Sequence, residues 1–128
     1  MQFFTYRQNN SGGWLDVRVE DGVGSMVCIE ATDAEAANRR AEELGITFDM
    51  SNSCDCCGER WREAYDEDGM PFPSKYDELI WGSDHRPEPS FIHYSNGVVE
   101  KVNQGDPAPD GWQQIYLAYI GYQQRKGA

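Results

Sequence analysis

Three of the four cysteines in this 128-residue chain, Cys54, Cys56 and Cys57, lie within four positions, and Gly58 follows them directly. Cys54 and Cys57 have the C-x-x-C spacing with which a tight turn directs two thiolates at one metal ion. Glycine suits such a turn because it has no Cβ and adopts left-handed backbone angles without strain. The spacing therefore predicts a zinc-knuckle-like turn that holds structural zinc.

The other ligands of such a site must come from distant parts of the chain, because structural zinc takes four. His93 is the strongest candidate, since it precedes a predicted hairpin turn, and Cys56 or His85 would complete the set. Cys28 lies in an apolar stretch, which favours a buried thiol that packs as a small hydrophobic group. The alternative is that the cysteines are reduced thiols in a turn without metal.

A basic and aromatic triplet, Arg60-Trp61-Arg62, follows the cysteines. Such side chains hold a partner or a nucleotide by stacking and by cation–π contacts, so Arg60 and Trp61 are candidate binding residues. In the alternative interpretation, Trp61 covers the cysteine turn and the arginines pair with neighbouring carboxylates.

Several catalytic patterns are not matched by this sequence. Zinc deaminases carry H-x-E ahead of P-C-x-x-C, whereas both histidines here follow the cysteines and no proline precedes Cys54. The glycine-rich stretches lack the lysine and the helix start of a phosphate-binding loop. We therefore predict no catalytic residue, with a small metal- or thiol-dependent enzyme acting on a nucleotide kept as an alternative.

The formal charge of −11 at pH 7 restricts the partners of the chain. Phosphate backbones and anionic membrane surfaces repel such a protein, which disfavours direct binding to nucleic acid. No apolar run has the length of a membrane span, and the N-terminal stretch lacks the pattern of a secretion signal. We expect a cytoplasmic protein, in a reducing compartment where clustered cysteines bind metal more often than they form disulfides.

The strands and helices that must position these residues can be predicted from the sequence, and together they indicate an α+β fold with a mainly antiparallel sheet. Gln2–Gln8 and Ser25–Ala31 have the composition of strands, and Asn96-Gly97 marks a hairpin between Phe91–Tyr94 and Val98–Val102. Three shorter strand candidates are Trp14–Val19, Ile46–Phe48 and Arg60–Tyr65.

Two helices are predicted, and the first, from Asp33 to Leu44, is expected to pack on the sheet. Thr32 and Glu35 have the spacing of a capping box at its start, and Gly45 ends it. The residues expected to face the sheet are Ala34, Ala37, Ala41 and Leu44. The C-terminal helix is expected at Trp112–Gln124, with Asp110 and Gln113 as its capping pair and an apolar side formed by Trp112, Ile115, Tyr116, Tyr119 and Tyr122.

All six prolines lie between Pro71 and Pro109, so the character of the chain changes near residue 70. The length is that of one domain, covering residues 1–128. We expect a compact α/β part at 1–69, followed by an acidic part punctuated by proline at 70–128.

Several segments together resemble a family of small, uncharacterised proteins of tailed bacteriophages. They are Phe3–Gly13, Cys28–Ala31 with the following Glu35–Glu42, the C-C-G-x-R-W motif at Cys56–Trp61, and Phe91–Tyr94 with Asn96-Gly97. The resemblance covers about residues 3 to 100 and implies a phage origin without a mechanism. Members of the family often carry further cysteines before the motif, where this chain has Met50-Ser51-Asn52-Ser53, so the resemblance points to a histidine ligand for the metal.

Three functional hypotheses follow. The leading one is a small acidic phage accessory protein, stabilised by zinc, that binds a host or phage macromolecule in host takeover or anti-defence. The second is an acidic mimic of DNA that inhibits a host nuclease or defence protein. The third is the small enzyme acting on a nucleotide. A protein partner is expected for the first two.

Overall fold

The computed structural model describes residues 1–8, 16–48, 61–82 and 88–126. The strands are β1 (Gln2–Arg7), β2 (Met26–Ala31), β3 (Ser74–Lys75), β4 (Glu78–Leu79), β5 (Ser90–His93) and β6 (Val99–Val102), and the helices are α1 (Ala34–Glu43) and α2 (Asp110–Lys126). Short 3₁₀ turns cover Val19–Asp21 and Asp66–Asp68.

Four strands form one mixed sheet in the spatial order β1-β2-β5-β6, and β3 and β4 form a separate hairpin. β1 pairs with β2, and β5 with β6, in antiparallel fashion, whereas β2 and β5 run parallel. A parallel pair needs a long connection, which α1 and the β3–β4 hairpin provide. The predicted α+β class is confirmed, as is the hairpin around Asn96-Gly97, where Gly97 has φ of +92°. The sheet combines two strands from each side of residue 70.

α1 packs on one face of the sheet through alanines, as the sequence predicts. Ala34, Ala37 and Ala41 are buried, and Leu44 is half-buried against the same core. The buried residues of this α1-side core are Phe4, Tyr6, Val23, Val27, Ile29, Ala31, Ala34, Ala37, Ala41, Ile46, Trp61 and Ala64.

The predicted capping box at the start of α1 is wrong by one residue. The cap is Asp33, whose side chain accepts a hydrogen bond of 2.9 Å from the backbone N–H of Ala36. The Asp66 side chain accepts a second one, also of 2.9 Å, from the N–H of Ala34. Aspartate prevails over Thr32 at this position because it offers a strong acceptor and its charge complements the helix dipole.

The opposite face of the sheet carries a second core, which α2 and the segment around β3 and β4 cover. The ring of Phe72 makes edge contacts with Tyr116 and Tyr119, each with centroids 5.3 Å apart. Phe3 of β1 makes a similar contact with Trp112 at 5.2 Å. The buried residues of this α2-side core are Phe3, Met26, Cys28, Ile80, Trp81, Ile92 and Val102.

The apolar side of α2 is narrower than predicted, because Ile115 and Tyr122 are exposed. The helix already begins at Asp110, and the Gln113 side chain donates to the backbone oxygen of Ala108 instead of closing a capping pair. The aromatic contacts of α2 are made by Trp112, Tyr116 and Tyr119, which are spaced as one face of a helix.

The predicted strand at Arg60–Tyr65 does not form in its described part. Trp61 makes one isolated bridge to Gln8, and residues 62–65 have no regular structure. The reason is that a side chain replaces the partner strand. Asn38 of α1 accepts from the N–H of Ala64 at 2.8 Å and donates to its carbonyl oxygen at 3.0 Å.

Two other short strand candidates are also wrong in the part that the structure describes. Residues 46–48 have no regular structure, and the N–H of Ile46 instead donates to Ala41 at the end of α1. At Trp14–Val19, the described residues 16–19 contribute one bridge, Arg18 to Val23, and the start of a 3₁₀ turn.

Candidate functional site

The predicted metal ligands Cys54, Cys56 and Cys57, together with His85 and the predicted binding residue Arg60, lie outside the described residues. Within the described ranges, no group of three or more histidine, cysteine, aspartate or glutamate side chains is arranged to hold a metal ion. Neither helix in the same ranges combines the length and the apolar character of a membrane-spanning segment.

His93 is the predicted metal ligand that the structure does describe, and it lies at the end of β5 with 3% of its surface exposed. Its Nε2 lies 2.7 Å from the carbonyl oxygen of Gly22, so this nitrogen carries the hydrogen and donates. Nδ1 is therefore an acceptor, and it has no hydrogen-bond partner among the described residues. Burial lowers the pKa of His93 and the Arg40 charge acts in the same direction, while the bond to Gly22 opposes them. The ring is thus neutral near pH 7, with one free lone pair.

Cys28 is fully buried in the α2-side core, as the sequence predicts. Burial raises the pKa of its thiol to about 12. We therefore expect Cys28 to resist alkylation by iodoacetamide in the native protein at about pH 8, because the thiolate is the reactive form. Peptide mass spectrometry measures this for each cysteine. Equal rates of Cys28 modification in native and urea-denatured protein would contradict the prediction.

Trp61, the other predicted binding residue in the described ranges, is a core residue with 2% of its surface exposed. It packs in the α1-side core, so its ring offers no free face for stacking on a ligand. The next residue, Arg62, is exposed and lines a cavity instead.

This cavity, which we name the hairpin cavity, has a volume of about 340 Å³ and lies between β1, residues 62–70 and the tip of the β3–β4 hairpin. Its wall contains three of the 11 basic residues of the chain, Arg7, Arg62 and Lys75. The acidic residues of the wall are Glu63, Glu67, Asp68 and Asp77. The wall therefore offers charges of both signs to a ligand.

Two arginines of the hairpin cavity lie against tyrosine rings. The Cζ atom of Arg7 is 4.1 Å from the centroid of the Tyr76 ring, and that of Arg62 is 5.3 Å from the Tyr65 ring. Within the described part of the chain, neither guanidinium forms an ion pair. The tyrosine rings are therefore the partners that the described residues offer these two guanidinium groups.

The tip of the β3–β4 hairpin holds Tyr76 and Asp77 in the left-handed region, with φ of 48° and 67°. Lys75 pairs with Glu78, so these two residues form a two-residue turn with positive φ at both central positions. Asn-Gly is the preferred sequence in such a turn, and a bulky residue there is strained. Tyr76 is nevertheless 77% exposed. Strain of this kind is concentrated at functional sites.

Sequence reasoning missed this hairpin, because its turn contains neither glycine nor asparagine. The one sequence feature that pointed toward this cavity was Arg62, the last residue of the basic and aromatic triplet Arg60-Trp61-Arg62. Arg7 and Tyr76 are distant in sequence and become neighbours only when β3 lies beside β1.

We expect Tyr76→Asn combined with Asp77→Gly to raise the free energy of unfolding by about 1 kcal/mol. The left-handed conformation costs a residue other than glycine about 1–2 kcal/mol, and the lost cation–π contact offsets about 0.5–1 kcal/mol of the gain. Urea denaturation measures the change. Gly97→Ala is the control, and we expect it to lower the free energy of unfolding, because alanine is strained at a φ of +92°. Nothing lies within 4 Å of the added Cβ, so the backbone strain is the whole effect. A double variant less stable than the wild type would contradict the strain argument.

The structure is that of a small α+β protein whose hairpin cavity is lined by charged residues of both signs and by Tyr76. The chain belongs to the family described as Domain of unknown function (DUF7296), which matches residues 1–111. Neither the curated proteins nor the solved structures gave a match. The expectation of an uncharacterised family is confirmed. The matched region contains the whole hairpin cavity and ends in the first turn of α2.

Proposed function

We propose that this protein is an acidic accessory protein of phage origin that acts in the cytoplasm of the host cell by binding a protein partner through the hairpin cavity. The observation that carries the proposal is the exposed ring of Tyr76, held in a strained turn beside Arg7. A strained residue at an exposed tip is of no benefit to the fold, so a role in recognition explains its presence.

The residue types of the cavity favour a protein partner. Tyrosine and arginine are enriched among the residues that dominate binding energy at protein interfaces. Arg7, Arg62, Tyr65 and Tyr76 are all exposed at or beside this cavity. The carboxylates of its wall and the net charge of −11 oppose a polyanion, whereas a protein segment presents both signs of charge.

The experiment compares which proteins the immobilised full chain captures from a bacterial host lysate. The site variants are Tyr76→Ala and Arg7→Gln. The matched controls are Tyr122→Ala and Arg39→Gln, whose side chains are exposed and lie outside the hairpin cavity. We expect a protein that both controls retain and both site variants lose.

With that protein purified, we expect Tyr76→Ala to weaken binding about 30-fold, corresponding to about 2 kcal/mol for a dominant interface residue. Calorimetry measures the affinity. The proposal is wrong if every captured protein is recovered equally by wild type and site variants.

We further propose that zinc stabilises the fold through Cys54 and Cys57, with the remaining ligands drawn from Cys56, His85 and His93. The C-x-x-C spacing and the expected reducing compartment support this. At His93 only Nδ1 has a free lone pair, since Nε2 donates to Gly22.

Elemental analysis of protein prepared without chelator is expected to give about one zinc per chain. Cys54→Ser should lower the melting temperature as a strong chelator does, and the two effects should not add, because both remove the same metal. Cys28→Ser is the control that leaves the metal content unchanged. A ratio near zero, with full thermal stability in chelator, would exclude the zinc proposal.

A second candidate function, mimicry of DNA, has support from an acidic groove beside the start of α1. Its wall contains the carboxylates of Asp33, Glu35, Glu42, Glu63 and Asp66. Two of them, Asp33 and Asp66, already cap α1, which leaves fewer for a basic partner. Displacement of the captured partner by double-stranded DNA, together with loss of binding at moderate salt, would favour this candidate over the hairpin cavity.

A further inference from the structure

The hairpin cavity lies in a gap along the outer edge of β1. β1 is an edge strand of the four-stranded sheet. The segment 61–70 contacts this edge through two isolated bridges, one between Gln8 and Trp61 and one between Phe3 and Met70. The bridges are five residues apart in β1 but nine residues apart in the segment. The segment therefore leaves the edge between the bridges, and the hairpin cavity occupies the space between them.

The backbone of Thr5 faces this gap without a partner. Successive residues of an antiparallel strand direct their N–H and C=O groups to alternate sides. Those of Phe3 point away from β2, because they exchange hydrogen bonds of 2.8 and 3.0 Å with Met70. The pairing of β1 with β2 is regular over the whole strand, so the groups of Thr5 point the same way as those of Phe3. Thr5 lines the cavity, and neither of its two backbone groups bonds to another described residue on this side.

The two bridges also determine what kind of chain can enter the gap. A continuous strand along β1 would have to displace Trp61 or Met70 from the edge. Both residues are buried, so such a displacement would open the core. The end of a chain, in contrast, reaches Thr5 without crossing either bridge. The gap therefore fits a chain terminus, which pairs its backbone with one free donor and one free acceptor.

The cations of the cavity favour a carboxyl terminus over an amino terminus. The side chains of Arg7 and Arg62 are exposed at the cavity wall, and neither forms an ion pair within the described ranges. They lie against the rings of Tyr76 and Tyr65. Because these rings hold the cations without a carboxylate, the N–H groups of each guanidinium stay available for bidentate hydrogen bonds to one.

The anions of the same wall restrict the residues that precede the terminus. Glu63, Glu67 and Asp77 are exposed and form no ion pair in the part of the chain that the structure describes. Together with the net charge of −11 they attract lysine or arginine side chains and repel further carboxylates. The wall thus suits one terminal carboxylate that follows basic residues.

We propose that the hairpin cavity binds the free carboxyl terminus of a protein partner whose last residues are basic. The terminal carboxylate bonds to Arg7 and Arg62, and the backbone next to it pairs with Thr5. The cavity volume of about 340 Å³ lies at the lower end of ligand sites, which suits the last few residues of a chain. This inference rests on the proposed function, since it names the part of the partner that the cavity recognises.

The experiment titrates the full chain with synthetic peptides and follows its backbone amide signals by NMR. The probes are acetyl-Lys-Gly-Lys-Gly-Xaa peptides with a free carboxyl end, in which Xaa is each common amino acid in turn. Each has a counterpart with an amidated end. We expect at least one free-acid peptide to shift the signals of Thr5, Arg62 and residues 74–77 and to saturate them with a Kd below about 1 mM.

The amidated counterpart of that peptide should bind at least about tenfold more weakly, because its charge-assisted hydrogen bonds are lost. The amide is the more cationic peptide, so attraction to the acidic protein as a whole would favour it instead. The proposal is overturned if no free-acid peptide saturates these signals, or if the amidated peptides bind as tightly.

Arg62→Gln tests whether the carboxylate is bound at the proposed place. We expect this variant to bind the free-acid peptide at least about tenfold more weakly and to keep its affinity for the amidated one, which has no carboxylate to lose. Arg39→Gln is the matched control, an exposed arginine outside the cavity, and should keep both affinities. Wild-type affinity of Arg62→Gln for the free acid, or an equal loss for both peptides, would overturn the proposal.

The captured partner separates this inference from the proposed function. We expect deletion of its last residues to abolish its recovery by the wild-type chain. If the shortened partner is still captured by the wild type and lost by Tyr76→Ala, the proposed function stands and the carboxyl-terminal inference is wrong. If capture of the intact partner does not depend on Tyr76 or Arg7, the proposed function itself is wrong.

Discussion

Trp61→Ala is expected to lower the free energy of unfolding by about 3–5 kcal/mol, the range for truncation of a buried large aromatic residue. Trp61 is 2% exposed and is among the largest fully buried side chains of the protein. It belongs to the α1-side core, to which β1, β2 and α1 also contribute side chains. Residues 62–65 make no strand that would hold this segment in its place.

Urea denaturation with a two-state fit measures the change, and Arg62→Ala is the matched control. Arg62 is the next residue and is exposed, so its truncation should cost no more than its cation–π contact with Tyr65, about 0.5–1 kcal/mol. A loss below about 1 kcal/mol in Trp61→Ala would show that this indole does not hold the core together.

Gly24→Ala is the second substitution with a large expected effect, a loss of about 2–4 kcal/mol. The added Cβ would overlap the backbone carbonyl oxygen of Pro89, which a side-chain rotation cannot relieve. That oxygen also accepts the 2.9 Å hydrogen bond from the N–H of Ser25, which joins the starts of β2 and β5. Overpacking costs about 1–3 kcal/mol, and the weakened hydrogen bond adds about 0.5–1.5 kcal/mol.

Gly111→Ala is the control for this prediction, because nothing lies within 4 Å of the Cβ that it adds. It lies in α2, where alanine is favoured over glycine, so no loss of stability is expected. Thermal unfolding of both variants gives the comparison. Equal melting temperatures for Gly24→Ala and Gly111→Ala would contradict the close approach of β2 and β5.

Those elements that depend on nearby residues were predictable from the sequence. β1, β2 and the β5–β6 hairpin follow from β-branched and aromatic runs and from Asn96-Gly97. The buried side of α1 follows from the spacing of its alanines. The failure at Arg60–Tyr65 occurs because a distant group satisfies the backbone, as Asn38 does for Ala64. No local pattern reveals such a partner, because it lies 26 residues away in the chain.

The candidate sites also contain features that nearby residues predict and features that depend on distant residues. The triplet around Trp61 marked a stretch with binding chemistry, but burial removes the indole and leaves Arg62 at the surface. Arg7 and Tyr76 become neighbours because β1 lies beside β3. The cysteine spacing at Cys54 and Cys57 stays a prediction from the sequence, since those residues lie outside the described ranges.

The sequence by itself determined the α+β class, the amphipathic α1, the Asn-Gly hairpin and the strongly acidic character, because each depends on composition or on spacing within one element. Only the tertiary structure decided that β2 and β5 run parallel, that the Tyr76-Asp77 turn is strained, and that His93 has its free lone pair at Nδ1. Each of these depends on which distant backbone lies alongside. Gly22, for example, is 71 residues from His93 and sets the tautomer of its ring through one carbonyl oxygen.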